Sequence, residues 1–568
     1  MTNNSPGVRA ASGPDTTVSQ SEHRGILLVF AGLMVAMLLA ALDQTIFATA
    51  LPTIVGELDG VNHMLWVTTA YILAATIMMP VYGKLGDLVG RKYLFMAAIA
   101  LFMVGSVIGG LAQDMTSLIV GRAVQGLGGG GLMILAQAII ADVVPARQRG
   151  KYMGIMGGVF ALASVAGPLL GGWFTESIGW RWAFWMNIPL GVLALVSAGA
   201  FLHLPKVERS RPRIDVAGMV LLALASTCVV LVTTWGGSTY DWASAQIFGL
   251  IVGAIVLGVA FVLVERRAAE PVMPLFLFKE RNFVLTTVAG LFVGIAMFGA
   301  MAYMPTYLQM VTGKSATVAG LLMIPMMGAM LITSIVSGRV VTRTGRYKFF
   351  PVFGLGFVGL SLVLLSTLSA GQAVWVICAY LAVLGLGLGL SMQILILIVQ
   401  NTFPIRVVGT ATASNNYFRQ IGASIGSAVV GSLFVQRLTD LLAERMPAGA
   451  SGGTDTNAFT PAAVQQMPDA IKDVIVSSYN DALMPVFLYI APLAVLGLIA
   501  LLFVKETPLA TRIDRGSDPT GSATDAADGV VDPVTGAGTP VDPSGAELED
   551  GLGDGHHPKH AAQEPARV

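Results

Sequence analysis

Long stretches without a single charged residue constrain the fold of this chain more than any other feature. Residues 26–41, 190–202, 216–232 and 247–264 contain no Asp, Glu, Lys or Arg. A membrane-spanning helix needs about 20 mainly apolar residues, and lipid forces each segment to satisfy its own backbone hydrogen bonds. Strands of a membrane barrel alternate apolar and polar residues over about 10 positions, whereas these stretches are continuous. The sequence therefore predicts an all-α integral membrane protein.

The composition agrees with this prediction, because charged residues make up 12% of the chain, about half of the roughly 25% typical of soluble domains. The formal net charge is zero, which gives no reason to expect a nucleic-acid partner. Fitting the apolar stretches to the thickness of a bilayer predicts fourteen transmembrane helices. They cover residues 25–52, 64–83, 93–112, 116–142, 151–175, 182–204, 214–234, 246–265, 283–310, 317–340, 348–369, 373–401, 407–434 and 483–504.

The distribution of Lys and Arg among the loops predicts the orientation of these helices. Basic residues concentrate in alternate loops, for example at Lys84, Arg91, Arg149, Arg343 and Lys348, and are sparse in the loops between them. Because cytoplasmic loops carry the excess of Lys and Arg, these basic loops are expected in the cytoplasm. With an even number of spans, both termini are then cytoplasmic, and we expect a multi-pass protein of the plasma membrane.

An internal repeat divides the chain into two halves. The glycine-rich segment 83–91 recurs 255 residues later at 338–346, and Gly-Leu-Gly at 126–128 recurs 259 residues later at 385–387. Such repeats are typical of transporters built from two bundles around a central site. The sequence therefore predicts two pseudo-symmetric six-helix bundles with two extra central helices between them.

This division predicts five regions along the chain. The termini are polar, and the last region is rich in Gly, Pro, Asp and Ser, a composition that favours disorder. The regions are a cytoplasmic N-terminal segment at 1–24, a first bundle at 25–204, two extra helices at 205–282, a second bundle at 283–506 that includes an outer loop at 435–482, and a disordered cytoplasmic tail at 507–568.

The loop after the second span carries Gly83, Asp87, Gly90 and Arg91 in the pattern Gly-x-Leu-x-Asp-x-x-Gly-Arg-Lys. This pattern resembles the signature loop of the major facilitator superfamily. Asp87 and Arg91 are able to pair across the turn, and a buried pair that forms in one state and releases in another acts as a gate. Asp142, at the inner end of the fourth span, is placed by topology to join them. The second copy of the loop has Thr342 in place of the acid, so only the first copy is expected to form an ionic latch.

The first span contains Leu-Asp-Gln-Thr-Ile-Phe-Ala-Thr-Ala-Leu-Pro, beginning at Leu42. It resembles a signature of the fourteen-helix drug:proton antiporters, although Phe47 and Ala48 depart from the usual Val and Asn. The resemblance implies a proton-carrying role for Asp43, and a carboxylate inside a span is costly enough to suggest function. Arg122, in Gly-Arg-Ala-Val-Gln-Gly, resembles the superfamily's fourth-helix motif, which is linked to proton transfer. For each residue the alternative is a purely structural hydrogen-bond role.

Gly167, Pro168, Gly171 and Gly172 in the fifth span resemble the Gly-Pro-x-x-Gly-Gly motif of antiporters. Proline bends a helix and removes a backbone donor, and small residues let two helices approach closely, so this segment is expected to help seal one side of the pathway. The motif is associated with exporters, which favours outward transport. Close packing without a gating role is the alternative.

A substrate cavity is expected at the midplane between the two halves, as in other transporters with repeats. Candidate lining residues are aromatic or polar residues placed near that level. They are Trp66, Tyr71, Gln137, Phe298, Tyr303, Gln393, Asn415, Asn416 and Arg419.

These features together predict a monomeric, proton-coupled exporter of small amphiphilic or cationic compounds, with membrane lipid as its surroundings. We expect no cofactor, no metal, no nucleic acid and no enzymatic activity, because the sequence contains no ATP-binding loop and no nucleophile–base or metal-ligand set within a span. Three alternatives remain open at this point. The protein exports one endogenous metabolite such as an antibiotic, siderophore or lipid; it is an uptake symporter; or it is a non-transporting receptor or scaffold that signals through its tail.

Overall fold

The computed structural model of the chain describes residues 20–58, 63–204, 213–237, 239–446 and 461–511. Within these ranges fourteen helices are long and apolar enough to cross a membrane. This number confirms the sequence-based prediction of an all-α membrane fold. The expectations for residues 1–19 of the N-terminal segment, 447–460 of the outer loop and 512–568 of the tail fall outside the described residues.

The first bundle supplies six spans, of which the sixth is interrupted at Met186. A short π-helical turn, Phe174–Ile178, follows the fifth. Its helices are α1 (Gln20–Glu57), α2 (Met64–Val89), α3 (Arg91–Gly110), α4 (Met115–Val143), α5 (Ala146–Trp173), α6 (Trp182–Trp185) and α7 (Asn187–Phe201).

The two extra helices are α8 (Val216–Trp235) and α9 (Ala245–Glu265), and a 3-10 turn at Leu275–Lys279 leads into the second bundle. The second bundle also supplies six spans, the second of which is formed by two consecutive helices that meet at Met323. Its helices are α10 (Arg281–Thr312), α11 (Ala316–Leu322), α12 (Ile324–Thr344), α13 (Phe349–Ser366), α14 (Val374–Thr402), α15 (Ile405–Arg445), α16 (Pro461–Gln465) and α17 (Asp469–Leu502).

Repeated glycines place α4 and α14 in equivalent positions within the two halves. A Cβ atom added to Gly126 of α4 would collide with the carbonyl of Tyr71 on α2, and one added to Gly385 of α14 would collide with the carbonyl of Met326 on α12. The glycine two residues later faces α3 in the first half and α13 in the second. Because small residues let helix backbones touch in lipid, the repeated sequence reproduces the same packing twice. The predicted pseudo-symmetry is thereby confirmed.

The two extra helices are central in the sequence but lateral in space. α8 packs against α9 and also against α2 and α15, one helix from each half. The Ser226 hydroxyl on α8 lies 2.8 Å from the Tyr417 hydroxyl on α15, and the rings of Trp235 and Trp66 meet edge to face with 5.8 Å between centroids. Most of α9 faces outward. The pair therefore covers the seam between α2 and α15.

Two helices extend beyond the spans that hydropathy predicts. α15 continues to Arg445 and α17 begins at Asp469, whereas the apolar pattern ends at 434 and resumes at 483. The extra turns contact each other, because Arg445 of α15 forms a 2.8 Å ion pair with Asp481 of α17. A helix outside the lipid does not need to be apolar on all sides, so hydropathy underestimates its length.

The first residues of the segment expected to be disordered contact the second bundle. The backbone N–H of Thr507 donates a 2.7 Å hydrogen bond to the Tyr347 hydroxyl, and the backbone N–H of Arg147 donates a 3.0 Å hydrogen bond to the carbonyl of Ala510. Tyr347 is fully buried. Residues 507–510 therefore lie against the two halves, so the expectation of disorder is wrong for these residues.

Candidate functional site

Asp43 of α1 is completely buried inside the first half and forms an ion pair with Arg122 of α4. Their Oδ2 and Nη1 atoms are 2.5 Å apart. The other carboxylate oxygen accepts hydrogen bonds of 2.9 Å from the Gln125 amide and 3.0 Å from the Asn187 amide. Two helices, α4 and α7, thus supply three partners for the Asp43 carboxylate of α1, and every partner donates to it.

The remaining surface of the Arg122 guanidinium is covered by aromatic rings. Its Cζ atom lies 4.1 Å from the centroid of Phe47 and 4.3 Å from that of Tyr71. Nη1 also donates 2.8 Å to the Gln125 amide oxygen. Cation–π contacts of this kind are favourable for a desolvated cation. Phe47, where the sequence departs from the usual pattern of the motif, therefore stabilises the arginine.

Two members of this network, Ser106 and Asn187, were not among the residues singled out by the sequence. Ser106 is fully buried on α3 and accepts hydrogen bonds from the Gln125 and Asn187 amides at 2.8 and 3.2 Å. The side-chain amide oxygen of Asn187 is buried without a hydrogen-bond partner in the described part of the chain. A polar side chain inside an apolar span is the signal that identifies such residues, although it does not tell which acid they contact.

The second cluster of charges joins α2, α3 and α4 to the second half. Arg91 donates a 2.6 Å hydrogen bond to one carboxylate oxygen of Asp87 and also forms an ion pair with Asp142. The other oxygen of Asp87 accepts 2.7 Å hydrogen bonds from the backbone N–H and the hydroxyl of Thr410 on α15. The pairing of these three charges, expected from the loop motif and the topology, is confirmed.

We term the end of the bundle that carries Lys84, Arg91 and Arg149 the basic end.

Glycines allow the close contact between α2 and α15 at the basic end. A Cβ atom on Gly83 would lie 2.9 Å from the carbonyl oxygen of Gly409 and would collide with the side chain of Ala413. Gly90, which ends α2, has a φ of +97°, a backbone conformation that side chains disfavour. These two motif glycines therefore serve the approach of the helices and the turn that orients Arg91.

The second copy of the loop makes a neutral version of the same contact. The Thr342 hydroxyl accepts a 3.0 Å hydrogen bond from the backbone N–H of Lys151 on α5, just as Asp87 accepts from Thr410 on α15. Gly150 and Gly338 meet there, and a Cβ atom on Gly150 would lie 2.8 Å from the Gly338 carbonyl oxygen. The basic end is thus held by an ionic contact on one side and a neutral contact on the other.

In the ranges that the structure describes, hydrogen bonds between the halves run from the basic end only as far as the amides of Gln137 and Asn416, which are 3.0 Å apart. The halves therefore meet at the basic end in this conformation. Transporters with two repeats expose their central site alternately to either side, and this conformation is the one closed at the basic end.

The glycines of the α5 motif pack against α1, inside the first half. A Cβ atom on Gly167 would collide with the Thr45 side chain, and one on Gly171 would lie 2.5 Å from the carbonyl oxygen of Ile46. The Thr49 hydroxyl donates 3.2 Å to the carbonyl of Pro168. Gly172 has open space around its Cα atom. The motif therefore fixes α5 to the segment of α1 just after Asp43, and its contacts lie within one half.

Gly171 packs against a backbone whereas Gly172 faces open space, so substitutions at these two positions should have different effects. We expect Gly171→Val to lower the melting temperature and abolish transport, because overpacking against a backbone costs about 1–3 kcal/mol. Gly172→Val adds the same side chain to open space and should leave both quantities near the parent values. Melting temperatures in detergent and transport rates in liposomes test the pair, and equal damage from both substitutions would contradict the packing described above.

A cavity lies between the halves, on the far side of the contact at the basic end. Nineteen residues from α1, α2, α4, α5, α10, α14 and α15 line it, and they include six Met, four Gln and two Phe. Of the predicted substrate-binding residues, five line this cavity: Tyr71, Gln137, Phe298, Gln393 and Arg419. Flexible Met side chains make adaptable apolar surfaces.

The other predicted lining residues occupy different positions. Trp66 packs on Trp235 of α8. Tyr303 donates a 3.1 Å hydrogen bond to the Ser427 carbonyl. Asn415 donates a 3.1 Å hydrogen bond to the Thr287 hydroxyl inside the second half. Asn416 lies behind the lining and bridges Gln137 and Arg419.

The cavity and the buried ion pair are adjacent. Gln44, the residue after Asp43, lines the cavity, and so does Tyr71, whose ring covers Arg122. The Asp43–Arg122 pair therefore lies directly behind the wall of the cavity, next to Gln44 and Tyr71.

Two helical bundles related by a repeat, with a cavity between them and a contact at one end, define a secondary transporter. The chain belongs to the Major Facilitator Superfamily, whose family model matches residues 33–427. It is therefore a multi-pass membrane transporter and not an enzyme.

Relatives with recorded names agree with this assignment. An uncharacterised MFS-type transporter of Mycobacterium tuberculosis is 41% identical over 492 residues, which cover 86% of this chain and 71% of the relative. Multidrug transporter protein MdtP of Bacillus subtilis is 36% identical over 510 residues, covering 85% and 94%. The solved structure of the proton:xylose symporter XylE superposes with a TM-score of 0.55 at 14% identity, over 87% of this chain and 99% of that one, which supports the fold alone.

Proposed function

We propose that this protein is a proton-coupled exporter of small amphiphilic compounds, a multidrug efflux antiporter of the plasma membrane with both termini in the cytoplasm. The observation that carries the proposal is the buried Asp43–Arg122 pair, which lies next to the cavity and touches its wall through Gln44 and Tyr71. It gives the transporter a titratable group where cargo binding is able to influence it.

The coupling follows from the charges of the pair. When a proton binds Asp43, the carboxylate loses its charge and the attraction to Arg122 falls. Arg122 remains charged at all accessible pH values, so it needs new partners, and its contacts to Phe47 and Tyr71 change with it. Because Tyr71 lines the cavity, protonation alters the cargo site. Loss of cargo and gain of a proton are then linked, which is the requirement of antiport.

The gate at the basic end completes the cycle. The Asp87–Arg91–Asp142 cluster and its hydrogen bonds to Thr410 stabilise the conformation that is closed at that end. With the basic end in the cytoplasm, as the Lys and Arg distribution predicts, this conformation is the outward-facing one. Opening at the basic end requires these hydrogen bonds to break.

The names of relatives support outward transport of drugs. Besides MdtP, the Multidrug resistance protein 3 of Bacillus subtilis is 34% identical over 506 residues, covering 87% of this chain and 98% of the relative. Several fungal relatives are named efflux pumps. None of these names identifies the cargo of this chain.

Transport in liposomes tests the proposal. We expect purified protein, reconstituted with a pH indicator trapped inside, to change the internal pH when an amphiphilic dye is added outside, because dye and protons exchange. An imposed pH gradient should also drive dye accumulation. Liposomes without protein and liposomes treated with a protonophore serve as controls. Dye movement that is the same with and without a pH gradient would exclude proton coupling.

A further inference from the structure

We propose that the central cavity selects amphiphilic organic anions, and that the guanidinium group of Arg419 binds the anionic group of the cargo. This inference rests on the proposed exporter function and names its cargo class. It differs from the cationic cargo that the resemblance to drug antiporters suggests, and it follows from the charges around the cavity.

Arg419 supplies the charge of the cavity. It is the one charged residue among the nineteen that line the cavity, and no carboxylate belongs to that set. Asp43, the acid that precedes the cavity-lining Gln44 in the sequence, is 0% exposed and already accepts hydrogen bonds from Arg122, Gln125 and Asn187. The one formal charge on the cavity wall is therefore positive, which favours anions over cations.

The depth of Arg419 makes its charge costly without a partner. It lies 14 residues after Ile405 on α15, about 20 Å along the helix axis, within a hydrocarbon layer about 30 Å thick. A charge at this depth in the bilayer is unfavourable unless it has a partner. Among the described residues no carboxylate pairs with Arg419, so a cargo anion is the partner that would offset this cost.

The guanidinium has donors to spare. Nη2 donates 2.5 Å to the Asn416 amide oxygen, and a guanidinium carries five N–H donors in all. Asn416 in turn donates 3.0 Å to Gln137, which fixes Arg419 from the side of the protein. Gln393 also lines the cavity; it is 6% exposed, and its amide oxygen has no hydrogen-bond partner in the described ranges. Charged guanidinium and amide groups together suit a carboxylate or sulfonate.

The rest of the cavity explains why the anion should be amphiphilic. Met, Phe and Ala side chains form most of its wall, including Met133, Met297 and Phe298. A small inorganic anion would leave these apolar surfaces unfilled. An organic anion with an aromatic or aliphatic body fills them and places its charged end at Arg419.

Equilibrium binding in detergent tests this inference without any gradient, so its outcome is independent of proton coupling. The probes are the anionic dye 8-anilino-1-naphthalenesulfonate and the cationic dye ethidium, each titrated by fluorescence. We expect the parent protein to bind the anionic dye at least about tenfold more tightly, because one charge-assisted interaction contributes about 1.5–3 kcal/mol. Arg419→Gln should remove that preference, and Arg419→Lys should retain most of it.

A matched control lies on the same helix. Arg437→Gln removes a guanidinium that contacts the Asp481 carbonyl and the Tyr489 hydroxyl away from the cavity, and the preference for the anionic dye should remain. Tighter binding of ethidium by the parent protein would overturn the inference, and this result needs no variant that folds. Equal loss of both dyes in a folded Arg419→Gln variant would also overturn it, since a structural role predicts that pattern.

Discussion

Asp43→Asn is expected to abolish the ability of a pH gradient to concentrate cargo. One pH unit supplies about 1.4 kcal/mol for each proton exchanged, which sustains about a tenfold concentration ratio of cargo. In the variant the amide cannot exchange a proton, so the ratio should fall to one at every gradient. The measurement is the accumulation of a fluorescent cargo in liposomes under imposed gradients of increasing size.

The same substitution should preserve exchange of cargo for cargo. Asparagine resembles the protonated acid in shape and charge, and exchange of labelled for unlabelled cargo needs no proton. The variant loses the anion beside Arg122, and an uncompensated buried charge costs about 3–5 kcal/mol, so its melting temperature should fall. Retained exchange together with lost accumulation would separate coupling from folding.

Glu57→Gln is the matched control for this experiment. Glu57 also belongs to α1 and pairs with an arginine, Arg181, at 2.6 Å, but its side chain is 50% exposed. Exposed pairs contribute about 0–1 kcal/mol, so accumulation should stay at the parent level. If Asp43→Asn accumulates cargo as well as the parent does, Asp43 is not the proton carrier.

The sequence predicted the fold well because hydropathy and glycine spacing act locally. Each apolar stretch had to become a helix in lipid, and the repeated glycines mark the faces where two helices approach closely. The helix ends at 434 and 483 were predicted less well, since the turns that follow Phe434 and precede Leu483 are stabilised by contact with each other rather than by lipid.

The residues of the candidate site were also predicted in part. Asp43, Arg122 and the Asp87–Arg91 pair were predicted because a charge inside or beside a span is unusual in itself. Ser106 and Asn187 were missed because small polar residues are frequent in spans. Their role is visible only in the folded chain, where Asn187 donates to Asp43 and Ser106 accepts from Gln125 and Asn187.

Cavity residues were the hardest to predict. Trp66 and Tyr303 lie on the correct helices and are aromatic, yet helix rotation directs them to α8 and to α15. Hydropathy does not determine rotation for a helix that is apolar on every side.

Asp87→Asn is expected to shift the transporter toward the conformation that is open at the basic end. The carboxylate of Asp87 accepts from Arg91 and twice from Thr410. In the variant the two hydrogen bonds from Thr410 lose their charged acceptor, and the contact with Arg91 is no longer an ion pair. Because a hydrogen bond to a charged group contributes about 1.5–3 kcal/mol, the equilibrium should move by about 10- to 100-fold.

Labelling of a single cysteine measures this shift. Ser414→Cys, in a background with Cys228→Ser and Cys378→Ser, places a thiol of nearly the same shape one turn beyond Thr410. Ser414 is 0% exposed in the closed conformation and lies one turn from Thr410, which contacts Asp87 across the seam, so we expect maleimide to react faster when the basic end opens. The labelling rate should rise in Asp87→Asn in proportion to the open population, whereas the melting temperature should change little if the open state is itself folded.

Thr342→Val provides the comparison, because Thr342 makes the corresponding contact in the other half without a charge. A neutral hydrogen bond contributes about 0.5–1.5 kcal/mol, so the labelling rate should rise less than in Asp87→Asn. Equal rates in both variants would show that the charge of Asp87 does not stabilise the closed basic end. A slower rate in Asp87→Asn than in the parent would reverse the proposed direction of the gate.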